Sequence, residues 1–200
     1  MDKLSNWTTE NSENICSWSG IHCRQYTRRV VAIDLYCFNL EGTLSRSLAN
    51  LSLLRTLNLS GNSLTGEIPP EFGELKELQA LQLRVNFLNG SMPVELGMLH
   101  NLHILDLSSN GLTGRIPLEL GQLKALRILN LGGNKLGGPV PVELGLLRKL
   151  EYLSLGFNNF TGNIHNLTGG IAKSLVNLTK LNYLDLSRNM LTVYLKPSQI

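Results

Sequence analysis

One repeated template runs through this chain and constrains its fold more than any other feature. Units start at Val30, Leu54, Leu78, Leu102, Leu126 and Leu150, with a last one at Leu181. The shared 24-residue template is LxxLxLxxNxLxGxIPxxLGxLxx. The unit from Leu54 reads LRTLNLSGNSLTGEIPPEFGELKE, and that from Leu102 reads LHILDLSSNGLTGRIPLELGQLKA. A unit of this size cannot bury its own apolar face, so neighbours must stack to share one continuous core. The 43 Leu and 20 Asn of the 200 residues then have a single origin, because both occupy fixed places in the template.

Each part of the template has a physical meaning. The LxLxx core alternates with period two, so Leu57 and Leu59 point one way and Thr56, Asn58 and Ser60 the other, as in a short half-buried strand. Adjacent units place these strands in parallel. The asparagine at the ninth position recurs as Asn62, Asn86, Asn110, Asn134, Asn158 and Asn189. Its amide both donates and accepts, so it predicts a buried ladder that satisfies backbone groups at the bend after each strand. Gly66 with Ile68-Pro69, and Gly114 with Ile116-Pro117, turn the chain. Gly73, Gly97, Gly121 and Gly145 interrupt any helix, which leaves short helical or 3-10 turns on the outer face.

The template with its GxIP segment resembles the plant-type extracellular leucine-rich repeats of receptor-like kinases, receptor-like proteins and polygalacturonase inhibitors. The resemblance runs from Leu4 to about Thr192. LSNW at Leu4 to Trp7 and CSWSGIHC at Cys16 to Cys23 are similar to that family's amino-terminal cap. It implies an α/β leucine-rich-repeat solenoid: a right-handed superhelix with parallel strands on the concave face, short 3-10 or helical turns on the convex face, and about seven repeats. The resulting division is a cap over 1–29 with a Cys16–Cys23 disulfide, repeats over 30–192 and a tail over 193–200. Cys37 is left as a structural thiol, and the disulfide implies an oxidising compartment.

Three places depart from the template. The first unit has Phe38 where the asparagine belongs and Leu44-Ser45 for Ile-Pro. The unit over 150–180 is longer than the others by one added segment. That segment, HNLTGGI at His165 to Ile171, repeats the phase of NNFTGNI, which favours a remnant of a lost repeat over a functional loop, the competing reading. The tail VYLKPSQI carries no cysteine cap, and the opening MDKLSNWTTE has no apolar core of a signal peptide. No apolar stretch reaches the roughly 18 residues of a membrane span. These ends are read as those of a front portion of a longer protein.

A net charge of +3 without a basic run is a poor match to nucleic acid. Among His22, His100, His103 and His165 no metal-ligand set forms, and no catalytic triad, carboxylate pair or phosphate-binding loop stands out. No cofactor, metal or enzymatic activity is expected. Seven N-x-[ST] sequons, at Asn6, Asn50, Asn58, Asn89, Asn159, Asn166 and Asn177, mark glycosylation candidates. Asn58 is the awkward one, since its glycan would obstruct the concave face.

The outward strand positions remain as the binding surface. Aromatic and charged residues there make Tyr36, Arg84, Asp106, Tyr152, Phe157, Tyr183, Asp185 and Arg188 the candidates for ligand contact. Seven strands at about 4.8 Å give a face of roughly 29 Å, the length of about nine extended residues. The resemblance implies the non-catalytic ligand-binding or co-receptor ectodomain portion of a plant receptor-like kinase or receptor-like protein, secreted or on the outer side of the plasma membrane. Its partner would be a secreted peptide or another ectodomain, with no nucleic acid and no membrane contact by this segment. The alternatives are a secreted inhibitor of a cell-wall polygalacturonase and a truncated receptor fragment without activity of its own.

Overall fold

A computed structural model describes residues 14–163 and 175–192. The expected segment 165–171, the tail over 193–200 and the sequons at Asn6 and Asn166 lie outside the described residues. The strands in chain order are β1 (Ile21–Cys23), β2 (Val30–Asp34), β3 (Glu41–Thr43), β4 (Thr56–Asn58), β5 (Ser63–Gly66), β6 (Ala80–Gln82) and β7 (Phe87–Leu88). They continue as β8 (Ile104–Asp106), β9 (Ile128–Asn130), β10 (Gly137–Pro139), β11 (Tyr152–Ser154), β12 (Asn159–Asn163), β13 (Tyr183–Asp185) and β14 (Met190–Thr192).

The main sheet has the order β1-β2-β4-β6-β8-β9-β11-β13. From β2 to β13 it is parallel and in strict register, with Thr56 beside Ala80, Ala80 beside Ile104, and Tyr152 beside Tyr183. The 31-residue unit therefore delivers β13 to the same register as a 24-residue one. At the other end β1 pairs antiparallel with β2, and the Cys16–Cys23 disulfide ties its end to residues 14–17, which form a 3-10 turn. In the unit from Leu54, the side chains Leu54, Leu57, Leu59, Leu64, Ile68, Phe72 and Leu75 are each at most 5% exposed. The template's apolar positions thus form one core that runs from unit to unit.

The ladder is present with six rungs. Asn134 shows the pattern: its Oδ1 accepts from the Leu112 N–H of the preceding unit, and its Nδ2 donates to the carbonyls of Leu107 and Leu131. Asn62, Asn86, Asn110, Asn158 and Asn189 make the equivalent bonds. Asn62, Asn86, Asn134 and Asn158 are buried, while Asn110 and Asn189 are half-buried. In the first unit Phe38 occupies the rung position and packs against the core. The residue before each rung position is left-handed: Cys37, Gly61, Val85, Ser109, Gly133, Phe157 and Arg188 have φ between 51 and 69°. This local reversal accompanies the inward turn of each rung side chain, and at Val85 a β-branched residue bears the conformational cost.

Two features were not expected from the sequence. The xLTG segments form two further parallel ribbons, β3-β5-β7 and β10-β12-β14, with an isolated bridge from Ser91, after β7, to Thr113 of the next unit. The template glycines Gly73, Gly97 and Gly121 also sit inside the 3-10 turns rather than ending them. The turns span Arg46–Asn50, Pro70–Glu74, Val94–Met98, Leu118–Gln122 and Val142–Leu146. Proline at the N-cap of the last four sets an extended φ of −60 to −63°. Where Leu44-Ser45 replaces Ile-Pro, the Ser45 hydroxyl accepts from the Ser47 N–H instead. The glycines are needed because successive turns stack closely: a Cβ on Gly97 would lie 2.6 Å from the Glu119 carbonyl oxygen.

Two substitutions test this account by chemical unfolding. Asn134→Leu leaves the Leu112 N–H unpaired and takes one of two amide donors from the Leu107 and Leu131 carbonyls, which keep Asn110 and Asn158, and should lower stability by about 1–3 kcal/mol. Gly97→Ala, which forces adjacent turns apart, should cost about 1–3 kcal/mol; an unchanged midpoint would refute the close stacking.

Candidate functional site

Strand periodicity sends three rows of side chains outward from the parallel sheet. One row runs Thr56, Ala80, Ile104, Ile128, Tyr152, Tyr183. The second runs Asp34, Asn58, Gln82, Asp106, Asn130, Ser154, Asp185. The third follows the strands, with Tyr36, Ser60, Arg84, Ser108, Gly132, Gly156 and Ser187 at equivalent template positions.

The second row has a structural task of its own. Oδ1 of Asp34, Asn58, Asp106, Asn130 and Asp185 accepts from the backbone N–H two residues on, the bond that ends a strand in an Asx turn. Across strands, Asn58 Nδ2 donates to Asp34 Oδ1 at 2.9 Å and Asn130 Nδ2 to Ser108 Oγ at 3.2 Å, while within one unit the Ser108 hydroxyl donates to Asp106 Oδ1 at 2.6 Å. Asn58 is half-buried in this network, unlike the exposed sequon asparagines Asn50, Asn89, Asn159 and Asn177.

A hollow of about 520 Å³ opens on the face. Its lining combines Arg84, Ser108, Ser109, Asn130, Gly132, Gly133, Tyr152, Ser154, Gly156, Phe157, Tyr183 and Asp185. Three lining positions in two consecutive units are glycine, and this lack of side chains gives the hollow its depth. At Gly156 a Cβ would collide with the Asp185 carboxylate. Adjacent parallel strands hold the Tyr152 and Tyr183 rings face to face, 4.3 Å apart and 4° from parallel. The Arg188 guanidinium lies 4.9 Å from the centre of the Phe157 ring, a cation–π contact.

Electrostatics distinguish the groups further. Bonds from the Ser187 hydroxyl and backbone N–H hold the Asp185 carboxyl below its ordinary range, so it is a carboxylate at neutral pH. Burial, and then the neighbouring Tyr183, push the Tyr152 phenol up. At Tyr36 the phenol is raised through its contact with the Cys37 side chain.

Of the eight candidates from sequence, the hollow brings together Arg84, Tyr152, Phe157, Tyr183 and Asp185. Arg188 adjoins it through Phe157. Tyr36 lies two units from Arg84 at the amino-terminal end, and the Asp106 carboxylate is engaged by Ser108 outside the lining. Ser109 and Gly133 were missed, and the signal for both was their place before a ladder asparagine. Among the described residues no group of three His, Cys, Asp or Glu could hold a metal ion, and no helix is long and apolar enough to cross a membrane.

This architecture has known counterparts. The family model described as a leucine-rich repeat region matches residues 11–197. The chain belongs to the leucine-rich repeat family. The leucine-rich repeat receptor-like protein kinase PXC2 of Arabidopsis thaliana is 43% identical over 72 residues, 36% of this chain but only 7% of that protein. A crystal structure of PEPR1–AtPEP1 superposes on 95% of this leucine-rich repeat chain and 26% of the other, with a TM-score of 0.86 and 32% identity. The Arabidopsis receptor kinase HAESA, in complex with the peptide hormone IDA and the co-receptor SERK1, covers 94% of this chain and 39% of its own, with a TM-score of 0.69 and 28% identity. The chain thus spans a small part of the curated relatives it matches.

For Asp185, a depressed folded-state pKa contributes stability that is present above the unfolded value and lost as pH falls through the folded one. Carbon-detected NMR titration should place its midpoint below the ordinary aspartate value of about 3.9. Ser187→Ala should move it upward; a midpoint insensitive to that change would show that the Ser187 hydroxyl does not hold the carboxylate.

Proposed function

We propose that this chain is a non-catalytic recognition module, the ligand-binding or co-receptor ectodomain portion of a plant receptor-like kinase or receptor-like protein, working outside the cell. The supporting observation is the open hollow on the concave face, flanked by aromatic and charged side chains, on a scaffold shared with the receptor kinase HAESA, solved with a peptide hormone and a co-receptor. A rigid sheet holds the lining in place before a ligand arrives, so little ordering cost falls on the protein's side. The ligand class that fits is an extended secreted peptide, or the edge of a partner ectodomain. In this reading residues 1–29 serve as the cap, 30–192 as the repeats and 193–200 as a tail, and the exposed sequons Asn50, Asn89, Asn159 and Asn177 carry glycans away from the hollow.

The hollow does not favour the polygalacturonase-inhibitor alternative, because a basic cluster would be expected there and, among the described residues, Arg84 is the one basic residue in its lining.

Dodecapeptides selected from a random library on the immobilised chain provide the test. Arg84→Ala combined with Tyr152→Ala should weaken a selected peptide by about tenfold or more with an unchanged melting temperature. Gly132→Arg, which puts a long side chain into the hollow, should abolish binding. Unaltered affinity in both variants would move the site elsewhere.

A further inference from the structure

The two charged side chains that line the hollow have opposite sign and stand at opposite ends of it. Arg84 belongs to the β6 unit, and Asp185 ends the last strand of the main sheet. Between them come the β8, β9 and β11 units, whose contributions to the lining are uncharged: Ser108, Ser109, Asn130, glycines, tyrosine and phenylalanine. Resting on the peptide reading above, we propose that the hollow selects an extended peptide by charge polarity, taking an acidic group at Arg84 and a basic group at Asp185.

The spacing follows from the sheet. Four strand steps of about 4.8 Å separate the two ends, roughly 19 Å, which an extended chain at about 3.3 Å per residue covers in about six residues. The middle of such a peptide crosses Gly132, Gly133 and Gly156, where the floor recedes among small uncharged groups, Ser108, Ser154 and Asn130, that are already bonded within the sheet. Those groups accept many side chains, so the ends carry the discrimination.

The charges around each end fit this assignment. The Asp185 carboxylate already accepts from the Ser187 N–H and from Ser154, which fix its orientation and keep it ionised. The nearby cation, Arg188, is occupied over the Phe157 ring. At the other end Asp106, the acidic residue on the strand next to Arg84, directs Oδ1 to the Ser108 N–H and hydroxyl, and the two form no salt bridge. Arg84 is exposed and faces the hollow. Wrong-polarity peptides place like charges together at both ends, so rejection as well as attraction contributes to selectivity.

The experiment is selection of a phage-displayed random dodecapeptide library on the full 200-residue chain and on two variants, Arg84→Glu and Asp185→Asn. The second keeps the acceptor oxygen that the Ser187 N–H needs while removing the charge and the stability its depressed pKa contributes, and the first alters an exposed residue, so both should still unfold cooperatively, with the melting temperature lowered only in Asp185→Asn. The unsubstituted chain should enrich peptides with an acidic and a basic residue about six positions apart, in one fixed order. Arg84→Glu should replace the acidic preference by a basic one, and Asp185→Asn should erase the basic preference while the acidic one persists. Individual parent-selected peptides should lose about tenfold in affinity for either variant. Enriched peptides that lack the charge pair, or that keep the same pair on both variants, overturn the polarity inference and leave peptide binding standing. If the unsubstituted chain enriches no peptide, the peptide reading itself falls and the polarity inference with it.

Discussion

The carboxamide of the ladder asparagine is the contact on which the stacking depends. It accepts one bond from the preceding unit, donates one to a carbonyl of that unit and donates another to its own. A single planar group thereby sets both the bend after the strand and the distance to the neighbour. Aspartate would lack the donors, and leucine would leave the N–H of the preceding unit unpaired and each carbonyl with only the adjacent rung's amide. The left-handed residue before each rung is part of the same arrangement, which is why glycine occupies it at 61 and 133 and why its φ persists where valine or phenylalanine stands.

How much of this could be read in the chain depends on whether a feature repeats. Leu57, Asn62 and Pro69 have counterparts at the same places in other units, so strand, ladder and turn were all legible, and so was the parallel register. The xLTG ribbon repeats as well but was read only as a turn, because its glycines suggested reversal where the backbone in fact extends into a ladder. The role of Gly97 was half legible: its residue type signalled a limit on helix, while the reason, contact with the next turn's carbonyl, requires knowing how close the units stack.

The hollow was harder to foresee because it depends on residues that do not repeat. Gly132, Gly133 and Gly156 fall on variable positions of two neighbouring units, and no single unit contains the site. The Tyr152–Tyr183 stack is hidden further, since the long unit separates the two tyrosines and they meet only because β13 keeps the register across it. Asp106 shows a second use of such a position: its charge and place suggest ligand contact, and in the structure the Asx turn and the Ser108 hydroxyl engage it within the sheet. Asp185 makes the same turn and still lines the hollow, so the two roles are compatible when the neighbouring position is small.

The long unit has a wider consequence. The bonds of Asn189 reach Phe160 and Leu155 across separations of 29 and 34 residues, where other rungs span 22 and 27, and their lengths are unchanged. The inner arc of each unit is therefore of fixed gauge, while the sequence length between consecutive inner arcs is free to vary. Seven extra residues between Asn158 and Asn189 leave the concave face in phase, so the length of chain joining two inner arcs can change without disturbing the register between them.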